Sequence, residues 1–205
     1  LTAQAFADLE TPLSLYLKLA RAPGATEPAA NSFLLESVVG GERFGRYSFI
    51  GLPARTLLRA SGFGEAAKTE VVTDGVVVET HAGNPLDFVA DYQKRFKVAL
   101  RDGLPRFCGG LAGYFGYDTV RHIEKKLVHS CPPDDLGMPD ILLLQTEELA
   151  VIDNLSGKLS LIVYADPAQA DAYAQAQARL AELKMRLKAP AQAPSIAPCT
   201  SHPAE

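Results

Sequence analysis

The sequence has no excess of positive charge, few cysteines and no long apolar run, and each shortage excludes a class of protein. Its 20 Lys and Arg residues against 24 Asp and Glu residues give a formal net charge of −4, without the clustered basic surface that nucleic-acid phosphates require. No apolar run approaches the roughly 20 residues that cross a bilayer. The N-terminus lacks the basic and apolar regions of an export signal. We therefore expect a cytoplasmic protein that binds neither nucleic acid nor a membrane.

Residue patterns of catalytic and metal sites are also missing. Cys108, Cys131 and Cys199 are odd in number and widely spaced, which indicates reduced thiols rather than a disulfide framework. The histidines have no ligand-like spacing with these cysteines, so we expect no metal site. The sequence contains no nucleophile elbow, Walker loop or His-Glu-x-x-His helix. The glycine-rich residues 109–113 lack the Lys and Ser/Thr of a phosphate loop, and we interpret them as a strand. No catalytic residue and no cofactor are predicted in this chain.

What is present is a β-rich pattern with a few helices. Alternating apolar residues and turn residues predict strands over 32–39, 46–50, 55–60, 70–73, 76–80, 141–145, 148–153 and 158–165, and a central strand within 107–118. Asp74-Gly75 and the loop 154–157 are typical of hairpin turns. The spacing predicts helices over 12–19, from 85 to about 100 and over 166–188, the first two with Thr11 and Asn84 as N-caps. The predicted fold class is α+β, with mostly antiparallel sheet packed against a few helices.

The composition changes near the C-terminus. Residues 189–205 contain four prolines and little that could form a core, which is the composition of a semi-rigid linker. We therefore divide the chain into an α+β domain over 1–188 and a Pro/Ala-rich linker over 189–205. A linker implies a further domain, and the chain begins at Leu1 rather than Met, so we expect it to be an excerpt of a longer polypeptide.

Two polar residues interrupt the first long apolar strand. Glu36 and Ser37 follow Leu34-Leu35, and strand alternation would send their side chains to opposite faces. If this is an edge strand, its backbone groups are also available to a small zwitterion. The more common outcome for such residues is that Glu36 faces water and Ser37 fills a tight space. Spacing alone does not decide between these alternatives.

Two sequence blocks resemble a known family. Leu34-Leu35-Glu36-Ser37 followed by Arg46-Tyr47-Ser48-Phe49-Ile50-Gly51, and then the glycine and tyrosine block Phe107–Asp118, are similar to anthranilate synthase component I. The resemblance runs from about Phe6 to the last helix. Aminodeoxychorismate synthase component I shares the fold and is the nearest alternative, and a non-enzymatic amino-acid-binding or structural domain is another. The sequence of residues 46–51 favours anthranilate synthase.

The resemblance implies a function that this chain cannot perform alone. The complete family enzyme converts chorismate and glutamine-derived ammonia into anthranilate and pyruvate, with Mg²⁺ as cofactor and a glutamine amidotransferase subunit as partner. Its chorismate and Mg²⁺ residues lie in a C-terminal domain that is not present here. By resemblance, this chain is the regulatory N-terminal part. Leu35, Glu36 and Ser37 are then predicted contacts of the inhibitor L-tryptophan, and Arg46, Tyr47 and Ser48 are second-tier candidates.

Overall fold

A computed structural model of the protein describes residues 1–21, 25, 29–37, 45–131 and 134–191, and all structural statements below concern these residues. The strands are β1 (Thr2–Phe6), β2 (Phe33–Leu35), β3 (Tyr47–Gly51), β4 (Thr56–Ser61), β5 (Lys68–Thr73), β6 (Val76–Ala82), β7 (Gly110–Phe115), β8 (Ile141–Thr146), β9 (Glu148–Asp153) and β10 (Lys158–Val163). The helices are α1 (Pro12–Leu19), α2 (Pro85–Gln93) and α3 (Ala172–Lys188), with short 3₁₀ turns at Gly64–Ala66, Tyr117–His122 and Lys125–Ser130.

The strands form two five-stranded antiparallel sheets, which confirms the predicted α+β class. The first sheet has the order β1-β10-β9-β3-β2, and the second has the order β6-β5-β4-β8-β7. The chain passes between the sheets twice, from β3 to β4 and from β8 to β9, where only Glu147 separates the two strands. Strand β1, which the sequence analysis did not predict, pairs with β10 from the other end of the chain.

The first sheet is covered on one face by α1 and α3. This core consists of apolar side chains from both helices and three strands, including Leu15, Leu19, Ile50, Ile152, Leu161 and Leu183. On the opposite face, Leu149, Val151 and Ile162 pack with Cys108, Phe107 and Phe49. A sheet buried on both faces has near-continuous apolar strands, as β9 and β10 do.

Local sequence chemistry explains how α1 begins. Thr11 has extended backbone angles and accepts a hydrogen bond from the Ser14 amide at 3.0 Å, while the Ser14 hydroxyl accepts one from the Thr11 amide at 2.9 Å. This reciprocal capping satisfies two of the amide donors that a helix start leaves unpaired. Pro12 occupies the first helical position, where the missing N–H of proline costs nothing. The predicted helix over 12–19 is confirmed.

Helix α3 is shorter than predicted. The carboxylate of Asp166 accepts a hydrogen bond from the Ala168 amide at 3.0 Å and so forms a separate turn, and Asp171 has a left-handed φ of 61°. Both features prevent the helix from starting before Ala172. Leu180 and Leu183 of this helix are buried, whereas Tyr173 in its first turn is 64% exposed.

Helix α2 packs on one face of the second sheet. Phe88, Val89 and Tyr92 contact Leu58 and Leu143 of that sheet. Helix α2 ends at Gln93, and Phe96 and Leu100, which the sequence analysis placed on it, are 49% and 70% exposed. Without a surface to pack on, the apolar periodicity beyond Tyr92 does not extend the helix, because tertiary packing supplies most helix stability.

The hairpin of β5 and β6 turns at Asp74 and Gly75, as predicted. Their φ angles of 51° and 81° are both positive, which is the geometry that an Asp-Gly pair favours in a tight hairpin.

Strand β7 differs from its predicted central position. It lies at an edge of the second sheet and pairs only with β8 among the described strands. Gly113 allows this pairing, since a Cβ at that position would overlap the carbonyl oxygen of Leu142. Tyr114, Phe115 and Tyr117 remain exposed. The glycine at position 113 therefore permits a close backbone approach to one neighbouring strand.

Candidate functional site

The predicted site lies at the end of β2, on the edge of the first sheet. Strand β2 pairs with β3 alone among the described strands, with Phe33 opposite Gly51 and Leu35 opposite Phe49. The ring of Phe33 lies against Gly51, where any Cβ would overlap it. Strand β2 is thus an edge strand, the condition under which its backbone groups would be available, and it pairs antiparallel with the 47–51 strand. The strand spans three residues rather than the predicted range 32–39, and residues 38 and 39 lie outside the described chain.

Leu35, Glu36 and Ser37 occur together where β2 ends. Leu35 is 55% exposed, although it is a large apolar side chain on a sheet. Glu36 is exposed and Ser37 is partly buried. Because both lie beyond the last strand residue, strict strand alternation does not define their orientations. The site therefore combines an apolar side chain, a carboxylate and a serine within three consecutive residues.

A buried hydroxyl group fixes the backbone of Ser37. The Ser37 amide donates a hydrogen bond to Ser48 Oγ at 3.1 Å, and Ser48 on β3 is fully buried. A polar group without exposure requires hydrogen-bond partners, because an unsatisfied buried hydroxyl costs about 1 to 3 kcal/mol. Ser48, a second-tier candidate, therefore supports Ser37 from inside the fold and is too buried to meet a ligand itself.

The second partner of Ser48 was not identified from the sequence. Asn154, in the turn between β9 and β10, donates from Nδ2 to Ser48 Oγ at 3.1 Å and to the Gly45 carbonyl at 3.1 Å. Its backbone amide donates to the Arg46 carbonyl at 2.7 Å. The sequence identified residues 154–157 only as a hairpin loop. No local signal links Asn154 to Ser48, because the contact spans 106 residues of chain.

Arg46 and Tyr47 both line a shallow polar depression on the first sheet. Arg46 forms a two-pronged ion pair with Asp153, at 2.9 Å from Nη2 to Oδ2 and 3.2 Å from Nε to Oδ1. This hydrogen bonding holds the pKa of Asp153 below its usual range. The Arg46 guanidinium also lies 4.9 Å from the centre of the Tyr47 ring. These contacts give Arg46 and Tyr47 a structural role on this strand.

An aromatic cluster continues the apolar surface beside Leu35. Residues directly opposite in a sheet share a face, so Leu35 and Phe49 lie on the same side. The Phe49 ring contacts Phe107 edge to face, with centroids 5.5 Å apart, and Tyr47 lies 6.3 Å away. Phe33 and Tyr164 pack on the same cluster. Leu35 is thus the exposed margin of a half-buried aromatic surface, next to a carboxylate and a serine.

A shallow polar depression lies elsewhere on this side of the sheet. It is lined by Gln4, Arg46, Tyr47, Gly103, Pro105, Val151, Asp153, Ser156, Lys158 and Ser160. None of Leu35, Glu36 and Ser37 belongs to it. Arg46 therefore lies in this depression, while Tyr47 both lines it and contacts Phe49 of the aromatic cluster, and Ser48 hydrogen-bonds the Ser37 amide.

The described residues contain no convergent metal site. No group of three or more His, Cys, Asp or Glu side chains among them could hold a metal ion. Cys108 is a buried free thiol and Cys131 an exposed one. Cys199 lies outside the described chain. No helix in the described part of the chain is long and apolar enough to cross a membrane.

Comparison with known proteins places this chain beside one group of enzymes. No model of a protein family matches the sequence. Anthranilate synthase component 1 of Neisseria meningitidis serogroup B is 52% identical over 191 residues, which is 92% of this chain and 37% of that protein. The proteins of the same name from Pseudomonas putida and Acinetobacter calcoaceticus are 51% and 37% identical, over 93% and 91% of this chain.

The chain is shorter than these relatives. It spans 37% of the Neisseria protein and 36% of the other two. A crystal structure of anthranilate synthase component I from Streptococcus pneumoniae covers 88% of this chain with 23% identity and a TM-score of 0.49, which is too distant to support a conclusion. With half of its residues identical across nearly its whole length, the chain is similar to a part of anthranilate synthase component 1 that spans about 37% of that protein.

Proposed function

We propose that this chain is the regulatory N-terminal part of an anthranilate synthase component 1 and contributes half of a feedback site for L-tryptophan. The observation that carries the proposal is the arrangement at the end of β2, where Leu35, Glu36 and Ser37 meet the margin of an aromatic cluster. Tryptophan has an apolar indole, an ammonium group and a carboxylate, and this edge offers a complementary group for each.

The chemistry of each residue fits one part of the ligand. The 55% exposure of Leu35 leaves an apolar surface for the indole to cover. Glu36 supplies a carboxylate for the ammonium group or for the indole N–H. Ser37 supplies a hydroxyl that both donates and accepts hydrogen bonds. The rest of the ligand's contacts would come from the part of the polypeptide that this chain does not contain.

The activity of the complete enzyme would reside in that remaining part. There, chorismate and glutamine-derived ammonia would be converted into anthranilate and pyruvate, with a glutamine amidotransferase subunit supplying the ammonia. The Mg²⁺ that the resemblance implies does not fit the described residues, because no acidic or other ligand group converges among them. Magnesium would be held outside this chain, and none of its residues is assigned to catalysis.

Inhibition requires tryptophan to bind an inactive arrangement more tightly than an active one. A coupling free energy of about 1 to 3 kcal/mol changes substrate affinity roughly 5- to 150-fold. A ligand held between the edge of the first sheet and the remaining part of the enzyme would bias the relative position of the two. Such a rigid-body shift is a familiar allosteric mechanism.

The test measures tryptophan inhibition of the complete synthase. Ser37→Arg inserts a long cation into the site and Glu36→Ala removes the carboxylate, so each should raise the tryptophan concentration that gives half-inhibition. Glu65→Ala, which changes an exposed carboxylate near the second sheet, is the matched control and should leave it unchanged. If inhibition is the same in both site variants and in the control, the assignment is wrong.

A further inference from the structure

Gly45 is hydrogen-bonded directly to the Asn154 side chain, and Ser37 is linked to the same side chain through Ser48. These residues lie on either side of positions 38–44, which are outside the described chain. Asn154 Nδ2 donates to the Gly45 carbonyl at 3.1 Å and to Ser48 Oγ at 3.1 Å, and Ser48 Oγ accepts the Ser37 amide at 3.1 Å. One amide group therefore sets both the end of the β2 segment and the start of the β3 segment.

The chemistry of Ser48 makes the connection specific. A serine hydroxyl has two lone pairs, and here both accept hydrogen bonds, one from Ser37 and one from Asn154. Ser48 is fully buried, so in the folded chain its hydroxyl relies on these protein donors. Loss of the Asn154 donor would leave the hydroxyl with one of these two donors, and loss of the Ser48 hydroxyl would leave the Ser37 amide without this acceptor.

Asn154 is itself held in place by the turn between β9 and β10. The amides of Ser156 and Gly157 donate to the Asp153 carbonyl at 3.2 and 2.9 Å, and the Leu155 amide donates to Asp153 Oδ1 at 3.1 Å. Gly157 has a φ of 64°, and a Cβ there would overlap the carboxylate of Asp8. The turn is thus anchored on both sides before its asparagine reaches across to β3.

We propose that Asn154 is a positioning residue of the tryptophan site, acting through Ser48 to hold the Ser37 backbone where the ligand meets it. This inference rests on the proposed function, since it assigns a role toward the same ligand. Asn154 does not contact the ligand in this account. It fixes the geometry that Ser37 presents, and it links that geometry to the turn between β9 and β10.

The experiment compares single and double variants of the complete synthase. Asn154→Ala and Ser48→Ala should each raise the half-inhibitory tryptophan concentration about 2- to 10-fold, the effect of losing one ordinary hydrogen bond. Because the two act in one chain of contacts, the double variant should raise it no further than the larger single effect. Asn154→Asp keeps the shape but loses the donor, and it should behave like Asn154→Ala.

A matched control separates this role from a general effect on the turn. Leu155→Ala changes a neighbouring side chain that is 79% exposed, and it should leave both turnover and inhibition unchanged. Hydrogen exchange of the Ser37 amide should be faster in Asn154→Ala and in Ser48→Ala than in the control. A role confined to stabilising the turn would not change that amide selectively.

The outcomes distinguish this inference from the proposed site itself. If Ser37→Arg weakens inhibition while Asn154→Ala, Asn154→Asp and Ser48→Ala do not, the site stands and the positioning role is wrong. An effect of the Asn154 variants without one of Ser48→Ala would also overturn it. If none of these variants changes inhibition, the proposed site is wrong and the positioning role with it.

Discussion

Arg186 of α3 donates a hydrogen bond from Nη1 to the carbonyl oxygen of Leu19 in the last turn of α1, at 3.2 Å. The same nitrogen donates to the Arg21 carbonyl at 2.8 Å. In return, Lys18 of α1 donates from Nζ to the Leu187 carbonyl near the end of α3, at 3.2 Å. Each helix therefore caps the C-terminal carbonyls of the other with a cation, which also complements the negative end of the helix dipole.

This reciprocal capping predicts that Arg186 stabilises the helical layer on the first sheet. Arg186→Ala removes charged donors from two carbonyls and from Glu182, so it should lower the free energy of unfolding of the complete chain by about 2 to 3 kcal/mol. Urea denaturation measures the change. Lys184→Ala, an exposed position on the same helix, is the control and should change stability by less than about 0.5 kcal/mol. Equal effects of the two substitutions would contradict the capping role.

The burial of His122 predicts that the folded chain loses stability in mildly acidic solution. Its ring lies 5.0 Å from that of Phe63, and burial lowers its pKa below the usual 6.5. The unfolded chain therefore binds the proton first as pH falls. The stability contributed by neutral His122 is complete above pH 6.5 and is lost as pH falls from 6.5 toward the lower folded-state pKa.

Replacing the His122 ring tests the direction in which stability changes with pH. In His122→Phe, which keeps an aromatic ring against Phe63, the part of the stability loss below pH 6.5 that belongs to His122 should disappear. Thermal unfolding of the complete chain across this pH range measures it. His129→Gln changes an exposed histidine and should keep the original profile. A wild-type profile in His122→Phe would mean that another group causes the acid sensitivity.

The environment of Tyr164 predicts that its hydroxyl ionises at higher pH than ordinary tyrosines in an alkaline titration. Burial, followed by its hydrogen bond to Cys108 Sγ at 3.7 Å, raises its pKa to about 12. Ultraviolet absorbance of tyrosinate should show this side chain still protonated near pH 11, where ordinary tyrosines with a pKa of about 10 have ionised. Tyr164→Phe should remove only the late step. Its persistence in that variant would assign it to a different tyrosine.

Local chemistry made several parts of the fold predictable. The Thr11 cap and Pro12 specify the start of α1, and Asp74-Gly75 specifies the hairpin of β5 and β6, because each depends on neighbouring residues. The pairing of β1 with β10 could not be found in this way, since it joins opposite ends of the chain. The edge position of β7 is also a property of the whole sheet, so its glycine-rich sequence alone suggested a central strand.

In the candidate site, too, some features could be predicted from the sequence and others depend on tertiary contacts. The family resemblance predicted Leu35, Glu36 and Ser37 as ligand contacts, and these residues lie at the end of an edge strand. Arg46, Tyr47 and Ser48 are consecutive in sequence but have different surroundings: Tyr47 shares the face of Phe49 and Leu35, whereas Ser48 points to the opposite face and accepts a hydrogen bond from the Ser37 amide. Asn154 was missed because a turn asparagine has many local roles and its contact with Ser48 is purely tertiary. The linker over 189–205 and the domain boundary at 188 remain predictions.

The most direct test of the account is a crystal structure of the complete synthase chain grown with L-tryptophan. We expect density for the amino acid beside Leu35, Glu36 and Ser37, with Ser48 and Asn154 hydrogen-bonded behind the Ser37 amide as they are here. Tryptophan bound elsewhere, with no density at the end of β2, would contradict the central claim.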